Sequence, residues 1–406
     1  MSFVSHLEGA IDGTQLEPRT VQTLHKDRPI WVKYDLDAVK KAVSRSDLVG
    51  RTNSMWRYRE LLPVEHNENI VSLGEGMTPL VDCPKLARRF GVKRLVIKDE
   101  SQMPTGSFKA RGLAMAVSMA KELGIATVAI PTAGNAGGAL AAYAARAAMC
   151  CYVFMPGDTP AANRAEAALF GAKVFRVNGL ITDCAAIIAQ GKERFKWFDM
   201  STLKEPYRIE GKKTMGFELA EQMHWSLPDA IFYPTGGGTG LIGMWKAFAE
   251  LAALDWLDDD KRPMMFSCQS STCAPIVRAF EKGERFADPW ENAQTCASGL
   301  RVPKAAGDFM ILDAVQESGG AAIAAEENRL VDLAREASRL SGVSVCPESG
   351  ACFGALETAV ENGQVSANET VVIFNTGAAQ KYVEAIDVDV PTLDCADVDW
   401  NLIERV

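Results

Sequence analysis

Lys98-Asp-Glu-Ser-Gln-Met-Pro-Thr-Gly-Ser-Phe-Lys109-Ala-Arg-Gly112 lies between two unlike runs. The apolar, strand-like Arg94-Leu-Val-Ile-Lys98 leads in, and a long alanine- and methionine-rich run leads out. Lys109 is therefore expected just inside a helix start, where the positive end of the helix dipole disfavours an ammonium group. If water is also kept away, such a lysine becomes a usable amine nucleophile. An exposed first-turn lysine is the plainer reading of this stretch alone.

Outward from it, strand and helix alternate. Strands are expected at 94–98, 127–131, 151–155, 173–177, 230–234, 264–268 and 370–374. Helices are expected at about 107–123, 135–148, 160–170, 181–196, 238–253, 273–283, 326–340 and 349–362. Apolar strands alternating with helices of this length indicate βαβ units and mainly parallel sheets covered on both faces. Residues 1 to about 70 read as polar and irregular, with a short helix at Asp35–Ala42 and an apolar-faced segment at Met55–Leu62.

In open parallel sheets, ligands bind beyond the carboxyl ends of the strands, and the unusual loops sit there. One carries Lys109. A second, Pro131-Thr-Ala-Gly-Asn-Ala-Gly-Gly138, puts Asn135 at a helix start, either as a cap or facing a ligand oxygen. A third, Pro234-Thr-Gly-Gly-Gly-Thr-Gly240, can turn successive backbone N–H groups into one concavity, a phosphate cradle with no basic side chain. No Gly-Lys-Ser/Thr follows it, so ATP fits poorly. The fourth, Phe374-Asn-Thr376-Gly, ends a strand with a hydroxyl suited to a neutral ring nitrogen. Each is an ordinary turn when taken singly. Together they describe a small phosphorylated aromatic aldehyde linked to Lys109 as an imine, which is pyridoxal 5′-phosphate (PLP).

Composition narrows the class. The 406 residues carry 43 basic against 52 acidic side chains, a formal charge of −9, with no basic block to suggest nucleic acid. No run approaches bilayer length and the first residues lack a charged-then-apolar leader, so a cytoplasmic location is expected. The ten cysteines contain no C-x-x-C pair and read as reduced, mostly buried small hydrophobes. The four histidines show no ligand spacing, and no metal site is expected.

At this point the chain resembles the fold-type II PLP enzymes, and within them the threonine synthases, over about residues 20–385. Pro104-Thr-Gly-Ser-Phe-Lys-Ala-Arg-Gly112 is similar to the family's lysine motif, and Leu73-Gly-Glu-Gly-Met-Thr-Pro-Leu80 to its entry motif. Gly134-Asn-Ala-Gly-Gly138 resembles its asparagine loop, and Tyr207-Arg-Ile-Glu-Gly-Lys-Lys-Thr214 its substrate-arginine segment. The resemblance implies two open, mainly parallel twisted sheets flanked by helices, with the cofactor in the cleft between domains. Its domain division would be an extension at 1–70, a large unit from 71–107 and 215–390, a smaller one at 108–214, and a tail at 391–406.

It also implies roles. Lys109 would be the Schiff-base lysine and general acid/base, with Phe108 beside the ring. Asn135, Gly236, Gly237, Gly238, Thr239, Gly240 and Thr376 would hold the cofactor. Arg208 would take a substrate phosphate, aided by Thr132, Ser201 and Thr202. The activity implied converts O-phosphohomoserine and water to threonine and phosphate, in a homodimer. The alternative is β-elimination or β-replacement on serine, threonine or a phosphoserine-like amino acid. Several positions depart from the pattern: Ala110 and Ala136 replace an Asp and a Thr, and the cradle lacks the usual Asn.

Overall fold

The computed structural model describes residues 2–386 and 390–405; Met1, residues 387–389 of the expected large unit and Val406 of the expected tail lie outside the described residues. All seven expected strands form: Arg94–Asp99, Thr127–Pro131, Cys150–Pro156, Lys173–Val177, Ala230–Pro234, Met264–Ser270 and Thr370–Asn375. All eight expected helices form as well. The largest shift is at residue 326, where a 3-10 turn (Glu327–Arg329) precedes the helix Leu330–Ser341.

The strands build two open sheets. The larger runs Ala322–Ala325, Met264–Ser270, Ala230–Pro234, Thr370–Asn375, Arg94–Asp99, Leu80–Asp82. Every pair in it is parallel except the last, an antiparallel edge. The smaller runs Lys173–Val177, Cys150–Pro156, Thr127–Pro131, Phe198–Asp199, and is wholly parallel. Central strands such as Ala230–Pro234 are buried along their whole length, as a sheet covered on both faces requires.

Helix Lys109–Glu122 leaves the larger sheet and is buried from Ala110 to Ala120. It lies against helix Tyr207–Gln222, which in turn packs on helix Thr239–Ala253. Glycines permit these close approaches. A Cβ on Gly211 would come within 2.1 Å of the Arg111 carbonyl oxygen, and one on Gly243 within 2.8 Å of the Lys213 nitrogen.

A charged cluster joins the first two helices to the sheet. Arg111 donates to Glu100 at 2.6 and 2.7 Å and to Glu218 at 2.6 Å through each terminal nitrogen. Lys98 donates to Glu218, to the Thr78 carbonyl and to Gln222. All four charged side chains are fully buried. Two cations against two carboxylates, each multiply hydrogen-bonded, satisfy the condition under which buried charge is tolerable.

The first 34 residues correct the sequence reading. Val4–Gly9, Gln15–Leu16 and Ile30–Tyr34 form a three-stranded antiparallel sheet. Ile30 and Val32 are buried while the residues between are not, a period of two in a run too short to stand out. The short helix appears at Leu36–Ala42, capped by Asp35. Met55–Leu61 buries Met55, Tyr58 and Leu61 in a 3-10 segment. Elements that the pattern did not reveal include helices Pro84–Phe90, Tyr207–Gln222 and Asp308–Glu317 and strand Ala322–Ala325. Seven of the ten cysteines are buried. No described helix is long and apolar enough to cross a membrane.

Candidate active site

Lys109 is the first residue of its helix, with Phe108 at the cap position. The preceding turn needs Gly106 in the left-handed region, φ +61. That turn is stitched to the Thr376 loop by backbone bonds: Phe108 N–H donates to the Thr376 carbonyl at 3.0 Å, and Ala378 N–H to the Gly106 carbonyl at 2.9 Å. Residues far apart in the chain thus share one wall. A cavity of about 350 Å³ opens beside it, lined by both sheets' loops.

Most of the residues singled out in the sequence meet there. Phe108, Lys109, Thr132, Asn135, Ser201, Thr202, Gly236, Gly237, Gly238, Thr239 and Thr376 all line the cavity. Arg208 and Gly240 do not. A Cβ on Gly240 would lie 1.9 Å from the Tyr233 hydroxyl, so this glycine is required by packing behind the cradle. Arg208 is buried behind Thr202, donating to the Met200 carbonyl at 2.9 Å and to Thr202 Oγ1 at 3.3 Å.

Lys109 is half-buried, its open surface facing the cavity. Burial lowers its pKa to about 7; the Arg208 charge acts in the same direction and Glu348 opposes it. Its Nζ lies 4.3 Å from the centre of the Phe108 ring. Lys212, fully buried, approaches the same ring to 3.6 Å and donates to the Phe108 carbonyl; burial and the nearby Lys109 charge push it far below the usual lysine range. A neutral amine at Lys109 is therefore accessible at ordinary pH.

The glycines of the third loop are tightly packed. Gly238 takes φ +71 and caps helix Thr239–Ala253. A Cβ on Gly236 would strike the Gly299 carbonyl oxygen at 2.3 Å. Gly236, Gly237, Gly238 and Thr239, at this helix start, line the cavity, and a helix start favours an anion. Asn135 occupies a cap position but makes no capping bond. Its Nδ2 instead donates to the Tyr382 hydroxyl at 2.9 Å, and its Oδ1 is buried without a partner. Thr376 Oγ1 is 3.9 Å from the Cys346 sulfur. These features fit PLP: a phosphate end, a ring-oxygen end and a ring-nitrogen end surround one amine.

Sequence reading missed part of the wall. Glu348, Tyr382 and Ser298 line the cavity, as do Lys204, Arg301 and Lys304. Arg301 pairs with Asp158 at 2.9 Å and Lys204 with Asp199 at 3.3 Å. The signal for Glu348 was its place after Pro347 at a helix start, directly beyond a buried strand-like run; nothing in the sequence marked the 298–306 loop.

A cleft between two parallel sheets, in which a lysine poised near neutrality faces an anion cradle, is the layout of a PLP enzyme. Residues 71–377 match the model of the family described as "Pyridoxal-phosphate dependent enzyme", and the chain belongs to that family. It is a PLP-dependent lyase by its relatives. It is 34% identical over 378 residues to a threonine synthase of Methanocaldococcus jannaschii, covering 92% of each chain. It is 35% identical over 372 residues to one of Methanosarcina acetivorans, covering 91% of this chain and 90% of the relative. The fold is that of maize serine racemase, with a TM-score of 0.67 at 19% identity over 81% of this chain and 94% of that one.

Proposed function

We propose that the protein is a threonine synthase, converting O-phosphohomoserine and water to L-threonine and phosphate. The observation that carries this reading is the partly neutral Lys109 amine in a cavity that also holds Ser201, Thr202 and the cations Lys204, Arg301 and Lys304. The name shared by the curated relatives supports it.

When bound, PLP supplies an electron sink for charge on the substrate's α carbon. The protein's own groups do the rest. With the cofactor bound, Lys109 would be the group that takes and returns protons at the substrate's α and β carbons, which its lowered pKa permits near neutral pH. The cradle's N–H groups and the start of helix Thr239–Ala253 would hold the cofactor phosphate. Asn135 would hold the ring oxygen, and the Thr376 hydroxyl would serve the ring nitrogen without requiring a proton on it. Arg208 holds Thr202 in place and adds positive potential beneath the site. Its partner Glu205, raised by burial to about 7, offsets that charge only in part.

One observation favours a second reading. Ala136 lines the cavity and offers no hydroxyl to a substrate phosphate, which suits β-elimination from a smaller hydroxy-amino acid. Product formation from O-phosphohomoserine, O-phosphoserine, serine and threonine decides between them. The first reading expects threonine and phosphate from O-phosphohomoserine, with turnover lost in Arg208→Ala. Turnover of serine or threonine alone would remove it. The same reading expects a homodimer in the cytoplasm, where free thiols persist. Size exclusion at twice the 44.0 kDa chain mass checks the assembly.

A further inference from the structure

Glu348 is a carboxyl group in the cavity wall that the chemistry above leaves unused. It is the second residue of helix Pro347–Glu361 and is 3% exposed. Its Oε1 accepts the Gly299 N–H at 2.8 Å, while its Oε2 is buried and makes no hydrogen bond. Tyr382 lines the same cavity; burial raises the Glu348 carboxyl above its ordinary value, with the Gly299 N–H and the Tyr382 hydroxyl opposing the shift, and burial followed by the Glu348 charge raises Tyr382. Tyr382 in turn accepts from Asn135 Nδ2 at 2.9 Å.

A tyrosine that accepts still has one proton to donate, and leaving it unpaired in a buried wall is costly. Glu348 Oε2, buried in the same cavity wall and itself without a partner, is an acceptor for it. From these contacts we propose that Glu348 is a positioning residue that acts through Tyr382 to hold the Asn135 amide against the cofactor's ring oxygen. The chain of donors then runs in one direction, from Asn135 to Tyr382 to Glu348. The amide keeps its nitrogen toward Tyr382 and turns its buried, unpartnered Oδ1 and second N–H to the cavity. A donor at position 348 would reverse the order. Tyr382 would then give its proton to Asn135, and the amide would flip. The other titratable groups around Glu348 are Cys346, Cys296 and Lys109. The two thiols have pKa values raised to about 12 and stay neutral, so neither competes for the Tyr382 proton.

The inference rests on Asn135 as the partner of the ring oxygen, and the test separates the two. Glu348→Gln is the informative variant. Its carbonyl can keep the Gly299 N–H, which leaves an NH₂ donor facing Tyr382. Tyr382→Phe removes the middle link, and Asn135→Ala the end. Each variant, stripped of cofactor and checked for its fold by circular dichroism, is titrated with PLP while the dissociation constant and absorbance spectrum are recorded. Glu348→Gln and Tyr382→Phe are each expected to weaken PLP binding about fivefold, and Asn135→Ala about tenfold. The double variant Glu348→Gln/Tyr382→Phe should bind no worse than Tyr382→Phe alone, because both act through one chain. Unchanged binding and spectrum in Glu348→Gln, or effects that multiply in the double variant, overturn the proposal while leaving Asn135 in place. An unchanged Asn135→Ala overturns the Asn135 role itself.

Discussion

A lysine with its ordinary pKa of 10.5 is almost wholly ammonium at neutral pH, while Lys109, at about 7, is divided between two forms. The unfolded chain therefore holds more protons than the folded one between those two values, so this residue makes stability rise with pH across that window. Below about 7 the full cost of its burial is present. Lys109→Met removes that cost, and the cofactor-free variant should melt higher than its parent at pH 7, with the gap closing as pH approaches 10.5. Equal melting temperatures at pH 7 would show that the amine is not strained by its surroundings. The same substitution should abolish the absorbance band that PLP acquires on covalent capture. In the parent, the rate of that capture should climb with a midpoint near 7, since only the neutral amine attacks.

At the scale of elements, the cradle's glycines are held by packing as much as by any ligand. Gly240→Ala places a methyl 1.9 Å from the Tyr233 hydroxyl. Tyr233 is 1% exposed and has no room to retreat. Overpacking of this kind costs roughly 1–3 kcal/mol, and thermal unfolding of the cofactor-free protein should show the loss even before PLP affinity is measured. A variant as stable as its parent would mean that the helix Thr239–Ala253 can slide. The elements that could be read from sequence were those with an unbroken apolar period, such as Ala230–Pro234 and Thr370–Asn375, and they placed Lys109, Asn135, the cradle and Thr376 at strand ends. Helix Tyr207–Gln222 was missed because Arg208, Glu210, Lys212, Lys213 and Glu218 are all buried in it. Charges paired inside the protein erase the polar–apolar rhythm that marks a surface helix. Glu348 and Tyr382 escaped notice for a related reason: their partner, Asn135, is brought to them only by the fold.

For the whole molecule, the Lys98–Glu100–Arg111–Glu218 cluster is where sheet and helices are joined. Arg111→Met leaves Glu100 without its cation and Glu218 with Lys98 alone, and breaking a buried pair of this kind costs about 3–5 kcal/mol. A clear drop in melting temperature is expected, and one smaller than that of an exposed-pair variant such as Lys196→Met would contradict the role assigned to the cluster. Glu218 sharpens the test. Its carboxyl is held down to about 2, with burial opposed by Arg111 and Lys98, so it contributes stability above the ordinary carboxyl value of 4.5 that is lost as pH falls toward 2. Acid titration of unfolding in the parent and in Arg111→Met should diverge most above that window and converge within it.

The two lips of the cleft differ in how freely they can change. On one, Gly236 and Gly238 abut filled space, and almost any side chain there collides. On the other, Arg301, Val302 and Pro303 are half-buried, and Lys304 and Ala306 stand in solvent. Lineages that adapt this scaffold to new amino acids would leave the first lip untouched and write their differences into the second. A library restricted to residues 301–306 is accordingly the economical place to seek altered substrate choice without losing the cofactor.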